Sequence, residues 1–172
     1  MKYKIDKARL RAMRKGGSLL FTGCIYTARD QAHKKLAALI KENRKLPLEL
    51  KGRIIYYCGP TATSQGKIIG SCGPTTSCRM DSFVETLLKK GLLGMIGKGP
   101  RGQKARELIR KYKSVYFLAP SGCGALLAKR VVSRELVAFP ELGPEAIYKL
   151  KVKNFPLIVA IDSCGHSIYP DI

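Results

Sequence analysis

Acidic side chains are scarce in this chain: 12 aspartates and glutamates stand against 32 lysines and arginines over 172 residues, a net charge of +20. That excess suits three kinds of partner: nucleic acid, small anionic substrates drawn in by the field, or an acidic partner subunit. The basic residues run along the whole chain rather than forming a tail, and composition leaves all three open. Histidine is also sparse, with His33 and His166 alone, and no pair of carboxylates sits in an acid–base arrangement. None of the six cysteines (Cys24, Cys58, Cys72, Cys78, Cys123 and Cys164) forms a CxxC pair, and no motif has zinc-ligand spacing. A disulfide scaffold belongs to shorter, loop-rich secreted chains, so reduced, buried thiols are expected. No run of about 18 apolar residues exists to span a membrane.

What is present reads as one soluble, cytoplasmic domain over 1–172, long enough to bury a real core. Lys2, Lys4, Lys7, Arg9, Arg11, Arg14 and Lys15 precede an apolar stretch at 18–26, and Leu20-Phe21-Thr22-Gly23-Cys24 has some likeness to a lipoprotein cleavage site. The stretch is short and broken by Thr22 and Thr27, so a buried strand is the expectation rather than an export signal. Apolar residues at helical period mark 29–43, 80–90 (stopped by Gly91) and 102–112, with a short helix near 124–129. Strand character marks 19–26, 53–57, 67–70, 92–96, 115–119 and 157–162, and more weakly 131–139 and 146–152. From residue 67 onward strands and helices alternate, which predicts an α/β fold.

In such folds ligands bind where strand ends feed helix starts. At the first junction, Thr27 followed by Asp30 fits a capping pattern, and Arg29 stands beside free backbone N–H groups that favour an anion. His33 follows one turn later, as a packing residue or a helper of the site. The second junction, Gly70-Ser71-Cys72-Gly73-Pro74-Thr75-Thr76-Ser77-Cys78-Arg79-Met80-Asp81, is dense in glycine and hydroxyls. One of Thr75, Thr76 and Ser77 is expected to cap the helix, and Asp81 to steady its dipole or pair with an arginine. Gly97-Lys98-Gly99 sets a cation at a strand end, without the spacing of a phosphate-binding loop. Ala119-Pro120-Ser121-Gly122-Cys123-Gly124 either cradles an anion or simply turns the chain. Together these put Arg29, Thr75, Arg79 and Lys98 on one rim: two guanidiniums and an ammonium, matched to two carboxylates. With no acid–base partner beside them, they read as half of an active site.

These segments also resemble a known family. Thr27-Ala28-Arg29-Asp30-Gln31-Ala32-His33-Lys34-Lys35 and Gly73-Pro74-Thr75-Thr76-Ser77-Cys78-Arg79-Met80-Asp81 resemble motifs of the beta subunits of class I fumarate hydratase and L(+)-tartrate dehydratase. Tyr57-Cys58-Gly59-Pro60-Thr61, Gly97-Lys98-Gly99 and Glu141-Leu142-Gly143-Pro144-Glu145-Ala146-Ile147 follow the same pattern in order, and the likeness runs from about residue 17 to the C-terminus. The family usually has a small residue where Cys78 stands, and Cys58 and Cys72 replace smaller or aromatic ones.

The resemblance implies a swivelling β/β/α domain, and a separate alpha subunit that carries a [4Fe–4S] cluster on three cysteines, in an α2β2 heterotetramer. It implies that Arg29 and Arg79 bind substrate carboxylates, that Lys98 adds a charge contact, and that Thr75 is the base that takes the C3 proton, with His33, Thr76 and Asp81 in support and no metal in this chain. The implied reaction is hydration of fumarate to (S)-malate, with dehydration of L(+)-tartrate to oxaloacetate as the alternative. Two rivals are a cluster held here by Cys72, Cys78 and Cys58 or Cys123, and a basic nucleic-acid-binding module, which lacks a basic stripe interleaved with aromatics.

Overall fold

The computed structural model describes residues 7–170; Lys2 and Lys4 of the basic N-terminal run lie outside the described residues. The helices are α1 (Lys7–Ala12), α2 (Asp30–Lys41), α3 (Asp81–Lys89), α4 (Gln103–Lys111) and α5 (Gly124–Ala128). The strands are β1 (Ser18–Thr27), β2 (Ile54–Tyr56), β3 (Gly94–Gly97), β4 (Val115–Leu118), β5 (Val131–Ala138) and β6 (Ile147–Ile161). Strands β1 to β4 run parallel in that order, while β6 lies antiparallel to β4, to β5 and to β1. Because β6 joins β4 back to β1, those five strands close into a ring, with β5 an added edge.

The period of two along each strand divides the side chains between two cores. On β2 and β3, Ile54, Tyr56 and Ile96 face the core enclosed by the ring, with Phe21, Val115, Phe117, Val152 and Phe155. Ile55 and Met95 face outward to Leu36 of α2, Leu87 of α3 and Ile109 of α4. Each such buried aliphatic side chain contributes roughly 1.5–3 kcal/mol over its exposed state. The result is three layers, an antiparallel β layer, a parallel β layer and helices, which is a mixed α/β architecture. Among the described residues no helix is long and apolar enough to cross a membrane.

Three sequence expectations need correction. Residues 67–70 form no strand. Ile69 and Gly70 of that run are buried, and only the Ile69 side chain joins the ring core; the parallel layer is complete without it, and the long connection from β2 to α3 is tied off by Thr61 N–H to Ser71 O at 3.0 Å. Segments 146–152 and 157–162 are one strand, β6. The polar break between them is bridged where Asn154, at φ 52°, bends the strand and donates its N–H to Thr22 Oγ1 at 3.0 Å; asparagine tolerates that left-handed conformation better than most residues. The capping expectations also fail. Thr27 is still within β1, and its hydroxyl binds Ala146 O and Tyr148 N–H, which fastens β1 to the start of β6. Arg29 occupies the cap position of α2 without a side-chain cap bond. The apolar stretch at 18–26 is the buried strand expected, β1.

Candidate functional site

The carboxyl ends of β1, β2 and β3 lie side by side, so the segments that leave them meet. Beyond β2, Tyr57 O accepts the N–H of Thr75 at 2.7 Å, which draws the second junction onto the end of the sheet. Beyond β3, Thr76 bridges to Lys98, with Lys98 N–H to Thr75 O at 3.3 Å and Ser77 N–H to Lys98 O at 3.0 Å. Thr75 and Lys98 are thereby fixed as neighbours by backbone pairing alone. Ser77 then opens a short 3-10 turn, Ser77–Met80, that carries Arg79 out to the surface ahead of α3.

The two arginines meet at one carboxylate. Arg79 binds Asp30 with both forks, Nε to Oδ1 at 3.1 Å and Nη2 to Oδ2 at 2.5 Å. Arg29 Nη2 lies 3.8 Å from the same Oδ2 and 3.9 Å from Glu145 Oε1. Burial pushes the Asp30 carboxyl up, but Arg79, with Arg29 behind it, outweighs this and holds it below the ordinary carboxylate range. Arg29 lies flat over Gly59, where a Cβ would come within 2.9 Å of its Cδ and Nη1; only glycine leaves that space. Among the described residues, neither the Thr75 hydroxyl nor the Lys98 ammonium is engaged by a protein side chain or backbone group. The structure therefore brings all four predicted rim residues to one end of the sheet, with Arg79 and Arg29 turned toward a carboxylate.

Of the three supporting residues, only His33 is buried. His33 is fully enclosed, with Nδ1 2.8 Å from Arg29 O and its ring against Tyr57 and Phe83. That contact requires an N–H on Nδ1, and burial holds His33 neutral by lowering its pKa to about 4. Asp81 accepts Arg101 Nε at 2.5 Å and Gly102 N–H at 2.8 Å and stands in the first turn of α3, so it has both expected places, beside an arginine and at the helix start. Thr76 is exposed and serves through its backbone bridge to Lys98.

Sequence reasoning missed the layer beneath. Arg101, with its side chain 0% exposed, is stacked 5.4 Å from the Tyr57 ring and 5.0 Å from the Tyr116 ring. Ser77 Oγ pairs with the Tyr116 hydroxyl at 2.9 Å and accepts Lys98 N–H at 3.1 Å, so it is a strut and not a helix cap. Gly97 is needed beside it, since a Cβ there would lie 1.9 Å from Ser77 Oγ. Glu145 reaches the start of α2 from 114 residues away, accepting Gln31 N–H at 2.8 Å. The run Lys98-Gly99-Pro100-Arg101-Gly102 hinted at Arg101, but nothing local marks an arginine as buried. The fourth junction packs on the second, Cys72 N–H to Gly124 O at 3.1 Å, and turns the chain there. A cleft of about 730 Å³ opens beside the rim, from Cys78 past Arg101 to Cys164 and His166.

A family model described as the fumarase C-terminus matches residues 1–172. The chain is 41% identical to a putative L(+)-tartrate dehydratase subunit beta of Methanocaldococcus jannaschii, over 98% of this chain and 90% of the relative. It is 37% identical to the L(+)-tartrate dehydratase subunit beta of Escherichia coli K12, over 92% of this chain and 80% of the relative. It is 40% identical to the anaerobic class I fumarate hydratase of the same organism over 90% of this chain, but spans only 28% of that protein. These relatives bear out the resemblance drawn from the motifs: the chain belongs to the fumarase C-terminus family.

Proposed function

We propose that this chain is the substrate-gripping beta subunit of a two-part [4Fe–4S] hydro-lyase that reversibly hydrates fumarate to (S)-malate. The observation that carries the reading is the convergence of Arg29, Thr75, Arg79 and Lys98 at the ends of three parallel strands, with Arg79 already holding a carboxylate through both forks. Dehydrating malate expels a poor leaving group and removes a weakly acidic C–H. Negative charge then builds on the carboxylate next to the developing carbanion, and fixed cations there stabilise the transition state more than the ground state. Arg79 gives the planar fork; in the free chain Asp30 occupies it, and a substrate carboxylate would take Asp30's place. Arg29 stands beside it, 3.8 Å from the same Asp30 oxygen, with His33 steadying its backbone carbonyl. Thr75 stands next to Lys98, and its hydroxyl accepts a proton only if surrounding cations favour the alkoxide.

The chain's own sulfurs are scattered for a cluster: Cys58 and Cys72 lie buried in the ring core, while Cys78 is exposed on the 3-10 turn. A cluster held by the cysteines of an alpha subunit would supply, when bound, a Lewis acid for the substrate hydroxyl. In the same reading the two subunits form an α2β2 assembly in the cytoplasm, and the three-layer domain swivels against its partner.

Tartrate is the second reading, because relatives of similar identity are named for each acid: 41% and 37% to tartrate dehydratase beta subunits and 40% to the fumarate hydratase. The test is to assay the chain alone and combined with its alpha subunit against malate, fumarate and both tartrates. The reading expects no activity alone and hydration of fumarate by the pair. Turnover confined to L(+)-tartrate would select the second reading, and no turnover of any of these acids would refute both.

A further inference from the structure

Beyond the rim, the turn after β6 gathers a second set of chemistry-bearing side chains. Asp162, Cys164 and His166 bring a carboxylate oxygen, a thiol sulfur and an imidazole nitrogen within 4.8 Å of one another. The turn itself is tightly made. Asp162 N–H binds His166 O at 3.1 Å, Gly165 N–H binds Asp162 O at 2.9 Å, and Arg106 Nε reaches in to Gly165 O at 2.6 Å.

Asp162 is fully buried, and its Oδ1 accepts the N–H groups of Cys164 at 2.9 Å and His166 at 3.0 Å. Its Oδ2 is less taken up: Lys15 N–H lies at a long 3.3 Å, and His166 Nδ1 faces it at 3.3 Å. Burial pushes this carboxyl up, but the backbone donors outweigh it and hold it ionised. Cys164 and His166 are exposed and open into the 730 Å³ cleft. The anchor is therefore held in place, and the two other donors face the cleft.

We propose that Asp162, Cys164 and His166 form a binding site for one thiophilic divalent cation of the zinc class. Zinc–nitrogen and zinc–oxygen bonds of about 2.0–2.1 Å at a tetrahedral angle put two ligand atoms roughly 3.4 Å apart. The Nδ1-to-Oδ2 separation of 3.3 Å already matches that edge. The sulfur ligand excludes magnesium and calcium, which take oxygen alone. A thiolate and a carboxylate also cancel the charge of a divalent ion, which matters in a chain of net charge +20 with Arg14 Nη1 3.9 Å from the sulfur. Three protein ligands leave the fourth position facing the cleft, open to water or a small ligand.

The test uses the full-length reduced chain and cobalt(II) as a spectroscopic probe, followed by zinc(II) as competitor. The site predicts one equivalent of cobalt with a thiolate-to-metal absorption band in the near ultraviolet and the intense visible bands of tetrahedral coordination, all abolished by zinc. Cys164→Ser removes the charge-transfer band, and His166→Ala weakens affinity at least about tenfold. Both side chains are exposed, so neither variant endangers the fold; Cys78→Ser and Cys123→Ser leave the spectrum unchanged. No stoichiometric band, a band that persists in Cys164→Ser, or unchanged affinity in His166→Ala overturns the proposal.

Discussion

Two arginine–aspartate pairs stand at the same end of the sheet, one on the surface and one inside. Arg79 and Asp30 are 45% and 26% exposed, whereas the Arg101 side chain is 0% exposed and its partner Asp81 22%. In water an ion pair is worth little and is readily exchanged. Inside the protein the same pair is locked, because breaking it strands a charge in a poor solvent. Surface charges are therefore free to accept a ligand, and the buried pair holds the platform beneath them. Tyr57 and Tyr116 connect the two regions: Tyr57 O carries Thr75, the Tyr116 hydroxyl binds Ser77 Oγ and Gly99 O, and both rings lie against Arg101.

The largest effect is expected for Arg101→Leu. It takes the guanidinium from between two tyrosine rings and leaves Asp81, 22% exposed, with the Gly102 N–H alone; the expected cost is about 3 kcal/mol, the low end for a buried pair, read by denaturant unfolding. A loss below 1 kcal/mol would put the inner pair on the same footing as the outer one. His33 tests the buried layer by pH. With a folded pKa near 4 and an ordinary value of 6.5, the unfolded chain takes up a proton that the folded chain refuses. Stability from this group is intact above pH 6.5 and falls as pH drops toward 4, by about 3 kcal/mol in all. His33→Asn keeps a donor for Arg29 O and should flatten that slope; an unchanged slope would mean His33 is not shielded. Gly97→Ala drives a methyl into Ser77 and should cost about 1–3 kcal/mol in the same unfolding assay. The smallest effect is expected for Asp30→Asn, within about 1 kcal/mol of the parent protein.

Much of the site was legible in the sequence because its residues sit beside local punctuation. Arg29, Thr75, Arg79 and Lys98 each adjoin a strand end or helix start that periodicity could find, and such ends converge in a parallel sheet. The helices at 29–43, 80–90 and 102–112 are found at Asp30–Lys41, Asp81–Lys89 and Gln103–Lys111, because their apolar faces repeat at 3.6 residues. What stayed hidden depends on distant partners. The ring closes through pairing of β1 with β6 across more than 120 residues, and no local pattern encodes it. Asp30 read as a capping acid because its partner, Arg79, is 49 residues away. Arg101 read as one more basic residue because its burial is set by two tyrosine rings from other strands.

The central claim is that the rim grips a dicarboxylate. Its most direct test is kcat/KM of the two-subunit complex carrying Arg79→Ala, with the circular dichroism spectrum confirming the fold. The expected loss is about 2–3 kcal/mol of transition-state stabilisation, roughly 30- to 150-fold. A complex that turns over its acid with near-parental kcat and KM would contradict it.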